Sequence, residues 1–302
     1  MSVSHITLVT AFFPIHREQW TRLGRSDNRY FEYFQHWARI PNDLIVFCLT
    51  RDAERVKKIR DSFGRDNTQI IAVKDPDTLL PEIHREMTDI SRSYPPFSLR
   101  PTAPEVIYPE YDYVTALEFW CLLKSTDIAK TTYLAWIDFG FDHGGTFYKD
   151  SSQFDSAWDY PFTHDVSLFA VKKDDHSPIF DIVRRTDTIV QGNCFVIKTS
   201  YVSTFVQDAL ENYCHLLACG ILDDDQIILL MCARQKSNQI ALLPSSWFSQ
   251  LYDYSLTEHS QLTVPTYPDQ KPGKRLQLHW IKLCGDYCIR QFIYLKQRIT
   301  LA

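Results

Sequence analysis

Residues 131–145 read TTYLAWIDFGFDHGG. Thr132 to Ile137 are β-branched, aromatic or aliphatic, and Asp138 closes the run. A short apolar stretch without polar alternation suits a strand buried on both faces, as in a parallel sheet. The segment after it, Phe139-Gly140-Phe141-Asp142-His143-Gly144-Gly145, is poor in both strand and helix formers. A loop is therefore expected at the carboxyl end of a core strand, where open α/β sheets place their ligands. An Asp at that edge, beside glycines that admit close approach, reads as a site for a hard cation next to a phosphate. An Asp that only caps or turns the chain explains the same residues, and the local sequence does not separate the two.

Upstream, Tyr111–Ser125 spaces Val114, Leu117, Trp120, Cys121 and Lys124 by three or four, which predicts a helix feeding this strand. Before it, 74–110 carries clustered prolines in SRSYPPFSLRPTAPEVIYPEY and is expected as a long irregular excursion on the surface. Further back, ITLVTAFF (6–13) and LIVFCL (44–49) are buried-strand runs and 69–73 a shorter one. Helices are expected between them at 28–40 and 52–63. A βαβαβ opening of this kind begins a doubly wound sheet. It carries neither GxGxxG nor GxxxxGK[ST], so neither a Rossmann dinucleotide site nor a P-loop is expected.

Downstream, strands are expected at 165–171 and 188–197, the second with Gln191-Gly192-Asn193 in its middle. A glycine between two amides in an apolar strand marks either backbone open to a ligand or a β-bulge. A helix is expected at 201–217, and then Asp223-Asp224-Asp225-Gln226 precedes the apolar run IILLMCA. Like charges crowded at a helix start raise one another's pKa, which prepares one of them for general-base work. Capping by Asp223 accounts for one of the three. Residues 256–275 are expected as a loop, LQLHWIK (276–282) as an edge strand bearing His279, and 281–302 as a basic amphipathic helix. That helix suits docking on the body or peripheral contact with an anionic membrane.

The net charge of −5 is too mild and of the wrong sign for general nucleic-acid binding. The 14% aromatic content serves either core filling or the stacking of sugars and bases. Eight scattered cysteines without a CxxC pair read as reduced thiols, and neither Cys284/Cys288 nor Cys214/His215 matches a zinc signature. The N-terminus lacks the pattern of a signal peptide, and no apolar stretch approaches the length of a spanning helix. A soluble cytoplasmic protein is the resulting expectation.

In order, the features are a βαβ unit, a helix feeding a strand with an acidic loop, a Gly-bearing strand, an acidic cluster opening a helix, and a late histidine. That order resembles the GT-A glycosyltransferases. More narrowly, TLVTAFFPIHREQW (7–20), YFEYFQHWARIPNDLIVF (30–47), YPEYDYV (108–114) and LAWIDFG (134–140) are similar to the bacterial HtrL/YibB-like family, over about 6–226. The resemblance implies one GT-A-like domain: an α/β, mostly parallel sheet flanked by helices. Residues 1–130 would be its nucleotide-binding half, 131–280 its metal and acceptor half. It implies an inverting transfer from a nucleotide sugar, UDP-linked, with galactose in pyranose or furanose form. The acceptor would be a glycan or lipid-linked molecule of bacterial surface polysaccharide, such as lipopolysaccharide, capsule or O-antigen. By the same resemblance Thr10, Phe12, Arg17, Trp136, Asp138 and Gly140 meet the donor, and Gln191, Gly192 and Asn193 the acceptor. Asp224 or Asp225 is the base. Asp138 with His279 holds Mn2+ or Mg2+, with Asp142 the next acid able to join, because Gly140 stands where DXD has its second Asp. A metal-assisted phosphodiester or nucleotide-sugar hydrolase using Asp138, Asp142, His143 and the Asp223-Asp224-Asp225 cluster, and a catalytically idle nucleotide-sugar-binding protein, are the alternatives.

Overall fold

The computed structural model describes residues 5–20, 24–93, 97–256 and 265–268, together with 284–285, 287–289 and 291–292. The expected edge strand at 276–282, His279 and most of the helix at 281–302 lie outside these residues.

The chain opens with β1 (Ile6–Phe12), α1 (Asp27–Trp37), β2 (Leu44–Leu49), α2 (Ala53–Ser62) and β3 (Thr68–Val73). It continues through α3 (Pro81–Ser93), α4 (Pro104–Ile107), α5 (Pro109–Ser125), β4 (Tyr133–Ile137), β5 (Val166–Ala170) and α6 (Ile179–Arg185). Then come β6 (Val190–Lys198), α7 (Val202–Ala218), α8 (Asp225–Gln235), β7 (Ile240–Pro244) and α9 (Gln250–Asp253). The strands form one sheet in the order β3-β2-β1-β4-β6-β5-β7. Every pairing is parallel except those of β6, which runs against both β4 and β5. This is the mostly parallel, helix-flanked α/β sheet that was expected.

The central strands are buried on both faces because alternate side chains feed two different cores. On β4, Leu134 and Trp136 join the core under α5, α7 and α8, whereas Tyr133, Ala135 and Ile137 join the aromatic core under α1. Phe31, Phe34, Trp37, Phe139, Phe141, Phe154 and Phe162 fill that second core, so most of the aromatic supply goes to packing. Arg60, fully buried, ties α2 to the β2 region by donating to the carbonyls of Ala38, Ile40 and Asn42.

The excursion expected at 74–110 is instead largely helical. Ile83 and Met87, four apart on α3, are buried, and Ile90 packs beside them against the core of α5 and α7. Proline clustering at 95–109 masked that stripe, which ends before the first of those prolines. Strand β7, the helices α4, α6 and α9 and the helical character of 81–93 are elements the sequence pattern missed. Among the described residues, no helix is long and apolar enough to cross a membrane.

Candidate active site at the carboxyl ends of β1 and β4

A cavity of about 450 Å3 opens where β1 and β4 end. Its floor is Phe12, Phe13 and the end of β4 (Trp136, Asp138, Gly140), and its walls come from α1, α5, β6, the start of α8, and Trp247-Phe248. β6 reaches this edge because it is antiparallel: Ile137 pairs with Cys194, and the Asp138 amide donates to the Asn193 carbonyl at 3.0 Å.

The Gln191-Gly192-Asn193 segment is irregular, as the bulge reading of its sequence expects. Leu168 pairs with Phe195 but Ala170 pairs with Val190, two steps along β5 against five along β6, so the segment bulges out of register. Gly192 then meets Asp225: a Cβ built on it would lie 1.8 Å from Asp225 Oδ2 and 2.5 Å from Cγ. The absence of a side chain is what lets the Asp225 carboxylate sit against the strand, at the cavity wall.

Four carboxylates line this cavity: Asp138, Glu118, Asp225 and, two residues after Arg25, Asp27. Asp138 Oδ1 accepts from the Trp136 indole at 3.1 Å. Burial pushes Asp138 up to about 6, against the lowering effect of that bond and of Arg17 and Arg25. Burial, and then Asp224 and Asp138, push Asp225 well above the usual carboxylate range, and its Oδ2 is buried without a hydrogen-bond partner. Glu118 is raised well above its ordinary value by burial and by Asp225. Arg17, Arg25 and His143 line the same cavity. Burial and then Arg25 and Arg17 push the His143 imidazole down to about 4. Its Nε2 is 3.1 Å from Arg25 Nη1. A guanidinium only donates, so this imidazole is neutral with its proton on Nδ1.

Of the residues singled out in the sequence, Phe12, Arg17, Trp136, Asp138, Gly140, Gly192, Asn193 and Asp225 line the cavity. Five do not. Thr10 is fully buried in the sheet, one position before the lining begins. Gln191 turns away from the cavity, donating to the carbonyls of Ser245 and Ser246 and accepting from Gln250 Nε2. Asp224, and not Asp223, caps α8: its carboxylate accepts from the amide of Gln226 and from that side chain. Burial, and then Glu105, raise Asp224 to about 7. Asp142 is fully buried, with its two oxygens taken by the amides of Phe147 and Tyr148. It holds its own loop, in which Asp142 and His143 are both left-handed (φ 58° and 49°). Of the groups offered for the hydrolase alternative, Asp142 is thus already engaged. His279 lies outside the described residues.

Arg25, Glu118, Tyr111, Trp247 and Phe248 were missed. Glu118 carried a signal, a carboxylate on the core-facing side of an apolar helix stretch, LEFW. Trp247 and Arg25 sit in short loops whose placement no local pattern specifies.

The described residues alone do not assemble a divalent-cation site. No group of three His, Cys, Asp or Glu side chains able to hold a metal ion occurs among them. Gly140 offers no side-chain ligand and Asp142 is turned into its loop.

A family model described as "Bacterial protein of unknown function (HtrL_YibB)" matches residues 4–254. The chain belongs to the HtrL/YibB family. The match carries the similarity past residue 226, through the α8 helix to the Trp247-Phe248 wall of the cavity. Protein HtrL of Escherichia coli (strain K12) is 29% identical over 248 residues, 76% of this chain and 84% of that one. Among solved structures, mouse xyloside xylosyltransferase 1 aligns at 8% identity and TM-score 0.40, over 85% of this chain and 94% of that one. A 4-diphosphocytidyl-2C-methyl-D-erythritol synthase of Anaerococcus prevotii aligns at 9% and 0.40, over 86% and 93%. The glycosyltransferase GlyE of Streptococcus pneumoniae aligns at 10% and 0.41, over 99% and 64%.

Proposed function

We propose that this HtrL/YibB protein is an inverting glycosyltransferase that moves a sugar from a nucleotide-sugar donor to an acceptor hydroxyl, with Asp225 as the general base. The observation that carries this reading is the seat of Asp225: a buried carboxylate with a raised pKa and an unpartnered oxygen, brought to the cavity wall by the side-chain-free Gly192. A base of raised pKa takes a hydroxyl proton more readily than an ordinary carboxylate does.

The acceptor O–H gives its proton to Asp225. The oxygen forms a bond to the anomeric carbon while the bond from that carbon to the nucleotide diphosphate breaks, and the diphosphate leaves with the electron pair. Attack and departure occur on opposite faces of the sugar, so the configuration inverts. The floor of the cavity, at the ends of β1 and β4, receives the donor, as open α/β sheets receive nucleotides. Trp247, 43% exposed at the mouth, offers an indole face for the acceptor sugar. A UDP-linked sugar as donor and a glycan or lipid-linked surface-polysaccharide acceptor are the substrates this reading takes from the resemblance.

The test is nucleotide release from a panel of nucleotide sugars, with and without glycan acceptors, by the protein and its Asp225→Asn and Asp138→Asn variants. Acceptor-dependent release lost in both variants, with unfolding midpoints retained, is the expected result. Full activity in both variants sinks the assignment of the site.

A further inference from the structure

The cavity gathers two arginines that have no role in the proton transfer. Arg17 lies in the short turn Arg17–Gln19 after β1, and Arg25 lies just before α1. The two guanidiniums converge. Arg17 Nη1 donates to the Tyr30 hydroxyl at 2.5 Å, and Arg25 bonds the same hydroxyl while reaching His143. Aromatic faces hold the heads in place: Arg17 lies 4.8 Å from the Trp20 ring centroid and 5.4 Å from that of Tyr111, and Arg25 lies 5.9 Å from that of Tyr33. These contacts orient the two heads. Among the described residues no carboxylate comes within ion-pair distance of Arg25, and its neutral neighbour His143 adds no compensating charge. Two like charges gathered at a partly enclosed wall repel unless an anion sits between them.

Resting on the transferase reading, we propose that Arg17 and Arg25 form a clamp for the donor's diphosphate. They supply, as two guanidiniums, the neutralisation of the departing phosphate charge that a divalent cation gives in the DXD pattern. Guanidinium forks match phosphate oxygens bidentately, and Arg cannot lose its proton at working pH. The acids point the same way. Gly140 stands in place of the second DXD carboxylate, Asp138 Oδ1 is engaged by Trp136, and Asp142 is committed to its loop. Glu118 and Asp225, which line the same cavity, repel phosphate, whereas the two guanidiniums attract it.

The experiment measures UDP binding to the full chain by calorimetry and thermal shift, in EDTA and in Mn2+, with uridine and inorganic pyrophosphate as controls. The clamp predicts that UDP binds equally well in EDTA and in Mn2+, that pyrophosphate competes with it, and that uridine binds at least tenfold more weakly. Arg25→Met and Arg17→Met each weaken UDP about tenfold, a change of about 1.4 kcal/mol. Arg25→Lys, which keeps the charge but loses the fork, falls between. UDP binding that requires Mn2+ overturns the clamp and leaves the transferase reading standing. The clamp is equally overturned if both Met variants fold and bind UDP like the parent protein. Failure to bind any nucleoside diphosphate or nucleotide sugar, with or without Mn2+, overturns the transferase reading itself. Because the metal comparison uses the unmodified protein, it decides the matter even if a variant does not fold.

Discussion

Replacing Gly192 with Ala tests the site through one methyl group. The added Cβ would lie 1.8 Å from Asp225 Oδ2 and 2.7 Å from Oδ1, where ordinary contact begins near 3.4 Å. The carboxylate must therefore retreat by about 1.6 Å, the difference between 3.4 and 1.8 Å. The atoms that yield are the end of a side chain and not backbone, so the fold survives, with an overpacking loss of about 1–3 kcal/mol. Function is more sensitive, because a misplacement of about 1 Å in a catalytic group costs on the order of 100-fold in rate. Gly192→Ala is expected to lower kcat for sugar transfer by at least about 100-fold while leaving UDP affinity within about twofold, since the donor floor at Asp138 and the arginine wall are untouched. Nucleotide release and urea unfolding measure the two effects. The double variant Gly192→Ala/Asp225→Ala removes the clash, so it regains stability relative to Gly192→Ala and stays inactive. Gly192→Ala with parental kcat would refute the reasoning, because the carboxylate would then not act from the place it occupies here.

Stability should fall as pH rises from about 4 to about 7. Asp138 and Asp224 have folded-state values of about 6 and about 7 against 3.8 for the free side chain, so between those values each binds more protons in the native state, and His143, at about 4 against 6.5, offsets only part of this. The stabilisation is complete below the unfolded value and is lost as pH passes the folded one, on the order of 1–3 kcal/mol for Asp138; a urea midpoint that is flat or rises over this range contradicts the account. Asp142→Asn sets an amide donor against the Phe147 and Tyr148 N–H groups and is expected to destabilise by about 1–3 kcal/mol, and an unfolding free energy within about 0.5 kcal/mol of the parent would refute it. Trp247→Ala should raise the acceptor KM about three- to tenfold, through about 0.5–1.5 kcal/mol of lost stacking. Donor affinity and the melting point should stay put, because the indole is 43% exposed; unchanged acceptor kinetics would remove Trp247 from the acceptor path.

The parts of this protein that local chemistry dictates were legible in its sequence. LIVFCL, ITLVTAFF and YLAWI form β2, β1 and β4 because continuous apolar runs have no face to give to water, and the sheet buries both. Asp138 was marked as the edge of the central strand for the same reason, and the glycine between two amides announced an irregular strand before its partner was known. Tertiary structure decided which carboxylate matters. Asp223, Asp224 and Asp225 are equivalent in a string of letters, yet a single residue step separates a cap from a side chain at the cavity wall, and only the packing of α8 against the β6 bulge tells them apart. The same holds for Asp142, whose carboxylate is claimed by amides five and six residues on, and for Arg25 and His143, 118 residues apart and in contact only because α1 lies over the β4 loop. Periodicity fixes which residues are buried, because burial depends on a residue's own neighbours along the chain. A site forms from groups distant in sequence, and their meeting is determined by how the layers stack.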